Sequence, residues 1–181
     1  MPAEFSSPRL IASVTLTALL TGLCLSGVYE WAAPRIAANQ AEATKRAIFR
    51  VLPGTDSYQE LQPGMYRGFD ADGNSIGLAL AAEGAGFGGT LELLFGFNPD
   101  SRKVVGLAVL ASLETPGLGD KIETDAAFTG SFLDLAVDPT IACTAKPDAP
   151  NQVDSISGAT ISSKAVVRII NQRLSTLEDN P

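Results

Sequence analysis

The chain has 181 residues, 45% of them hydrophobic and 18% charged, which excludes a disordered chain and suits one domain with an accessory segment. The net charge of −7 is unevenly spread: residues 1–50 carry five Lys or Arg against three Asp or Glu, and residues 51–181 carry eight against seventeen. An acidic globular part lacks the basic footprint that nucleic-acid binding requires, so nucleic acid is excluded as a partner.

After a short tail (residues 1–9), residues 10–29 read LIASVTLTALLTGLCLSGVY, almost free of charge. Twenty helical residues span about 30 Å, the thickness of a bilayer core, so this stretch predicts one transmembrane helix. Its Ser and Thr residues can bond back to the helix backbone, and Tyr29 and Trp31 suit the membrane interface. A cleaved signal peptide would have a shorter apolar region and a more basic start than Arg9 alone provides. A lipoprotein signal would want a small residue before Cys24, where Leu23 stands. The segment is therefore read as a retained anchor. Arg9 on one side faces Arg35, Lys45 and Arg46 on the other, a balance that weakly favours a cytoplasmic globular part.

A membrane-proximal helix is expected over 30–53, with Ile36, Ala43, Ala47, Ile48, Val51 and Leu52 on one face and Pro53-Gly54 as its stop. The remaining domain is 54–181. Strand patterns follow over 65–69, 75–82, 91–98 and 104–113, the last two joined by the turn-forming stretch 99–103. Consecutive strands with short turns imply an antiparallel sheet. A helix is expected over 126–135, where Phe128 and Phe132 stand four apart, and a final helix over 162–177 with Val166, Ile169, Ile170, Leu174 and Leu177 inward. The fold class is α+β: one N-terminal transmembrane helix, then a domain with an antiparallel sheet and flanking helices.

The chain has no histidine, which removes the commonest general base, zinc ligand and haem ligand. Cys24 and Cys143 are too few for an ordinary iron–sulfur site, and they lie in such different surroundings that no disulfide between them is expected. Redox chemistry would have to come from an organic cofactor or from partners.

Three motifs stand out. Asp154-Ser155-Ile156-Ser157-Gly158-Ala159-Thr160 runs directly into the last helical pattern. Its small residues let a bulky group approach the backbone, its last hydroxyl can attack phosphorus when activated from outside, and the following helix offers free N–H groups to a phosphate. A plain helix-capping stretch has the same composition. Glu114-Thr115-Pro116-Gly117-Leu118-Gly119-Asp120-Lys121 ends the strand 104–113. Pro116-Gly117 turns the chain, Leu118 offers an apolar surface, and the loop N–H groups can bond a ligand, although a simple turn needs no more than Pro-Gly. Gly84-Ala85-Gly86-Phe87-Gly88-Gly89 precedes a strand rather than a helix, so it fails the structural test for dinucleotide binding. Phe87 can approach a ligand or pack in the core, and the core is the favoured placement.

The first of these motifs resembles Asp-x-x-(Ser/Thr)-Gly-Ala-Thr, the flavinylation motif of the FMN-binding domain family, and the other two resemble its Glu-Thr-Pro-Gly-Leu-Gly loop and its Gly-Tyr/Phe-Gly-Gly entry to the central hairpin. The likeness covers about residues 80–175. In size and layout the chain is most similar to G subunits of Rnf-type ion-translocating electron-transport complexes. C subunits of sodium-translocating NADH:quinone oxidoreductases share the motifs but are usually longer. The resemblance implies FMN held covalently on Thr160 by a phosphoester that a separate flavin transferase makes. It implies cofactor contacts from Asp154, Ser157, Gly158 and Ala159, and from Glu114, Thr115, Gly117, Leu118 and Gly119. It also implies an electron carrier without catalytic residues of its own, in the bacterial inner membrane beside other membrane and iron–sulfur or flavin subunits, with the domain outside the cytoplasm, against the charge count. A stand-alone flavoprotein and a scaffold with a vestigial motif remain as alternatives.

Overall fold

The computed structural model describes residues 7–178. Its first helix, α1 (Ser7–Val51), begins in one compact unit and ends in another, the division falling between Glu42 and Ala43. The helical stretches expected over 10–29 and 30–53 are thus one continuous run, with Pro34 inside it at the expense of one intrahelical hydrogen bond.

The first unit is the helix up to Glu42. Its apolar window has a mean hydropathy of 1.9 and is unburied, so it is long and apolar enough to cross a membrane. The hydroxyls of Ser13, Thr17 and Thr21 donate to the carbonyls of Leu10, Ser13 and Thr17 at 2.9, 2.8 and 2.9 Å. Polar side chains satisfied in this way ask nothing of a lipid surround. The Arg35 guanidinium stacks 4.3 Å from the Trp31 ring centre. Ile36, expected on a packing face, is 50% exposed.

In the second unit six strands form an antiparallel meander whose spatial order follows the sequence. They are β1 (Ser57–Gln62), β2 (Met65–Phe69), β3 (Ser75–Ala85), β4 (Thr90–Asn98), β5 (Lys103–Ser112) and β6 (Leu135–Ala136). Two short helices, α2 (Lys121–Thr124) and α3 (Ala126–Gly130), lie between β5 and β6. A separate parallel pair, β7 (Ala142–Thr144) and β8 (Gln152–Asp154), precedes the last helix, α4 (Thr160–Glu178).

Both faces of the sheet are covered. On one, Leu80, Leu91, Leu93 and Phe95 join Val166, Ile169 and Ile170 of α4 in the larger core. On the other, Ala79, Leu94 and Ala108 meet Ala47, Ile48, Val51 and Leu52, the last turns of α1 and the residue after it. Because β4 is buried from two sides it reads as a nearly continuous apolar run rather than an alternation. A Cβ added at Gly96 would collide with the Val51 carbonyl, so the end of α1 lies directly on the sheet backbone.

The expected strands all form within a few residues of their anticipated ends. β1 lies outside those expectations: five of its six side chains are exposed, and such a polar edge leaves no alternation to read. β6 to β8 are two or three residues long, below the reach of any periodicity. The helix expected over 126–135 stops at Gly130. Asp125 caps it, accepting from the N–H groups of Ala127 and Phe128 at 2.9 and 3.2 Å. The chain then turns, with Asp134 in the left-handed region at φ 60. Phe128 and Phe132 still meet edge to face at 5.3 Å. The last helix starts at Thr160, two residues earlier than expected.

Candidate functional site

The loop after β5 is folded around one carbonyl. Thr115 O accepts from the N–H groups of Leu118, Gly119 and Asp120 at 3.2, 3.0 and 3.4 Å. Those three donors are occupied within the loop, contrary to the expectation that they bond a ligand. Gly117 sits at φ +78, a conformation that favours glycine.

Glu114, at the root of this loop, is 7% exposed. Its Oε1 accepts from the Phe87 N–H at 2.6 Å, its Oε2 accepts from the Ser162 hydroxyl at 3.0 Å, and its own N–H donates to Ser112 Oγ at 3.1 Å. One carboxylate thereby ties the β3–β4 turn, the β5 loop and the first turn of α4. Glycine makes the fit possible: a Cβ at Gly86 or at Gly119 would strike one of the two carboxylate oxygens.

The start of α4 is set by a second serine. Ser163 Oγ accepts from the Ile156 N–H at 3.1 Å and donates to the Ala159 carbonyl at 3.0 Å. Gly158 lies at φ +84. This tight turn leaves Thr160 exposed as the first residue of the helix. Its hydroxyl reaches only the Ile156 carbonyl, at 3.5 Å, the limit of a hydrogen bond.

Two cavities meet at Thr160. The first, of about 310 Å³, lies between residues 114–119 and 158–162, with Phe87 at its edge. Its apolar lining comes from Phe87, Leu118 and Ile161, and its polar lining from Glu114, Thr115 and Ser162. The second, of about 750 Å³, is lined by Lys121, Thr124, Asp125, Asp154 and Ser157 among others. Of the anticipated residues, Glu114, Thr115, Leu118, Gly119, Gly158, Ala159 and Thr160 thus surround the first cavity. Asp154 and Ser157 face the second, and Gly117 lines neither.

Phe87 is not in the core: it is 68% exposed. Its backbone N–H is held by Glu114, which leaves the ring standing at the cavity mouth. Ile161 and Ser162 join the cavity wall without having been expected there. They follow the motif directly, and the helix phase that buries Val166 and Ile169 also puts Ser162 inward. Burial pushes the Cys143 thiol up, with Lys164 opposing and Asp154 adding to the shift.

Residues 86–175 match the FMN-binding domain family. The chain is 32% identical to the G subunit of the ion-translocating oxidoreductase complex of Methanosarcina acetivorans, over 88% of each chain. It is 30% identical to the G subunit of the proton-translocating ferredoxin:NAD(+) oxidoreductase complex of Clostridium ljungdahlii, over 88% of this chain and 85% of that one. Among solved structures it is similar to the C subunit of the Na(+)-translocating NADH-quinone reductase of Parabacteroides distasonis, at 28% identity and a TM-score of 0.54, over 61% of this chain and 58% of that chain.

Proposed function

We propose, from the premise that this chain belongs to the family of G subunits of ion-translocating oxidoreductase complexes, that it is the membrane-anchored electron carrier of such a complex and holds FMN covalently on Thr160. The observation that carries this reading is the meeting of two distant motifs. Residues 114–119 and 158–162, some forty residues apart in sequence, wall one cavity with the Thr160 hydroxyl on its rim.

The residues fit the group. Ligand pockets run from about 300 to 1,000 Å³, so a cavity of this size takes part of a flavin and leaves the rest at the surface. Phe87, Leu118 and Ile161 suit the flat apolar ring. The phosphate side falls to Thr160 and to the first turn of α4, whose N–H groups precede the intrahelical ladder and whose dipole end is positive. Lys121, Ser157 and Asp154 border the second cavity beyond. A bound FMN supplies reversible uptake of one or two electrons.

Thr160 Oγ1 meets a carbonyl rather than a base, so activation of this hydroxyl falls to a separate flavin transferase, with exposed Asp154 close enough in the second cavity to guide it. Electrons arrive from and leave to iron–sulfur or flavin centres of partner subunits. In this reading, which the family resemblance supports, the domain lies outside the cytoplasm of a bacterial inner membrane with 10–29 as the span, and the complex couples ferredoxin–NAD chemistry to Na⁺ or H⁺ movement. A C-like role in a sodium-translocating NADH:quinone oxidoreductase is the second reading. The fold likeness favours it, but over 61% of the chain, against 88% for the G-subunit relatives.

The test is the mass of the intact chain made beside a flavin transferase, with flavin fluorescence of the denatured protein in a gel. Added FMN mass is expected in the wild type, none in Thr160→Ala, and partial labelling in Thr160→Ser. Persistent covalent flavin in Thr160→Ala would sink the assignment. A reporter fused after residue 181, assayed on each side of the membrane, tests the orientation.

A further inference from the structure

Among the described residues Glu114 is the one charged side chain that is buried. Burying a carboxylate costs free energy unless it is hydrogen-bonded, and a turn could be closed by a neutral glutamine at less expense. The position therefore asks what the charge does. Glu114 lines the cavity together with Phe87, Leu118 and Ile161, and its carboxylate oxygens are held by the Phe87 N–H and the Ser162 hydroxyl. Gly86 and Gly119 stand so close to these oxygens that no side chain screens them from either flank.

We infer that Glu114 sets the reduction potential of the flavin bound in this cavity, its carboxylate, both oxygens of which accept hydrogen bonds, disfavouring the reduced ring. This rests on reading the cavity as the flavin site. Two electrons from a partner's one-electron centres, with one proton from solvent, convert the neutral oxidised ring to a reduced ring with one net negative charge. The same electrons leave to the partner acceptor and the proton returns to solvent. A carboxylate in the wall opposes the charge gained in the first half of this cycle and favours its release in the second. Across a cavity of this size, at the effective dielectric of protein sites, two unit charges change such an equilibrium by a factor on the order of ten or more. Glu114 is a positioning residue as well, since it ties three wall segments, so the test must separate charge from architecture.

Two variants of the full flavinylated chain in detergent separate them, titrated with dithionite against redox dyes while flavin absorbance is followed. Glu114→Gln keeps the shape and an acceptor for the Phe87 N–H but removes the charge. Ser162→Ala keeps the charge but removes a donor that partly neutralises it. The midpoint potential is expected to rise in Glu114→Gln by about 30 mV or more, which is tenfold in a two-electron equilibrium, and to fall in Ser162→Ala. Two lesions of the same structural tie would move the potential together, so shifts of the same sign, or no shift, overturn the inference. If Glu114→Gln does not fold or takes no flavin, Ser162→Ala decides alone, and a potential that fails to fall refutes the charge role. A wild-type chain without flavin would instead refute the site reading beneath it.

Discussion

Replacing Gly119 by alanine probes the tie at the centre of the site. The added Cβ would lie against Glu114 Oε2, 2.8 Å from Glu114 Cβ and 3.1 Å from its Cδ, so the whole side chain must move, not its tip alone. Overpacking of this kind costs about 1–3 kcal/mol. Displacing the carboxylate also weakens the bonds from the Phe87 N–H and the Ser162 hydroxyl, and a hydrogen bond to a charged group is worth about 1.5–3 kcal/mol. With partial relaxation the total is about 2–4 kcal/mol. Gly117→Ala is the control: nothing lies within 4 Å of its added Cβ, so only the left-handed backbone matters, at about 1–2 kcal/mol. The assay is urea unfolding of the detergent-solubilised chain followed by circular dichroism, in a double-mutant cycle with Glu114→Ala. Glu114→Ala removes the contacts with Oε2 and Cδ but leaves the one with Cβ, so it should relieve part of the Gly119→Ala cost, giving a coupling of about 1–2 kcal/mol, whereas Gly117→Ala should add independently. Additive costs for Gly119→Ala and Glu114→Ala would refute the argument.

A chain beginning at Ala43 should fold as a soluble domain, whereas one beginning at Thr55 should not. The longer form keeps Ile48, Val51 and Leu52, which are 0–1% exposed and together contribute about 5–9 kcal/mol by burial, as much as a whole domain's net stability; solubility and proton NMR dispersion of the two fragments check this. Asp154→Ala should lower the fraction of chains carrying FMN, read by intact mass, with little change in the unfolding midpoint, because Asp154 is exposed at the end of β8. The Arg102 guanidinium bonded to Asp138 at 2.6 and 2.9 Å holds that carboxyl below the usual carboxylate range. A lowered native pKa gives stability that is present above the ordinary carboxyl range, about pH 4, and lost as pH falls through the native value. Asp138→Asn should therefore lose less stability than the wild type between pH 7 and pH 3, measured by thermal unfolding at each pH.

What is legible in the sequence is whatever repeats locally. β3, β4 and β5 announce themselves by apolar runs between Gly and Pro turns, and α4 by its inward Val166, Ile169 and Ile170. The cavity residues near Thr115 and Thr160 are legible through motifs. Lost to the sequence is everything decided at long range. β1 is a strand because Tyr58 and its neighbours pair with β2, not because of any pattern of its own. Phe87 looks like core because it is large and apolar, but the hydrogen bond from its backbone to a carboxylate 27 positions away turns the ring outward. Glu114 looks like one more ligand contact, and its hold on Ser162, 48 positions away, is not readable from either residue.

Those separations bear on time as well as space. Hairpins such as β3–β4 and β4–β5 close over short loops, while a contact spanning 27 or 48 residues must wait for larger loop entropy to be overcome. The Glu114 tie needs both the meander and the docked α4 in place. The cavity walls are therefore held by contacts that no single hairpin or helix can supply. On the proposed reading, an enzyme that used these walls to orient Thr160 would distinguish folded chains from unfolded ones.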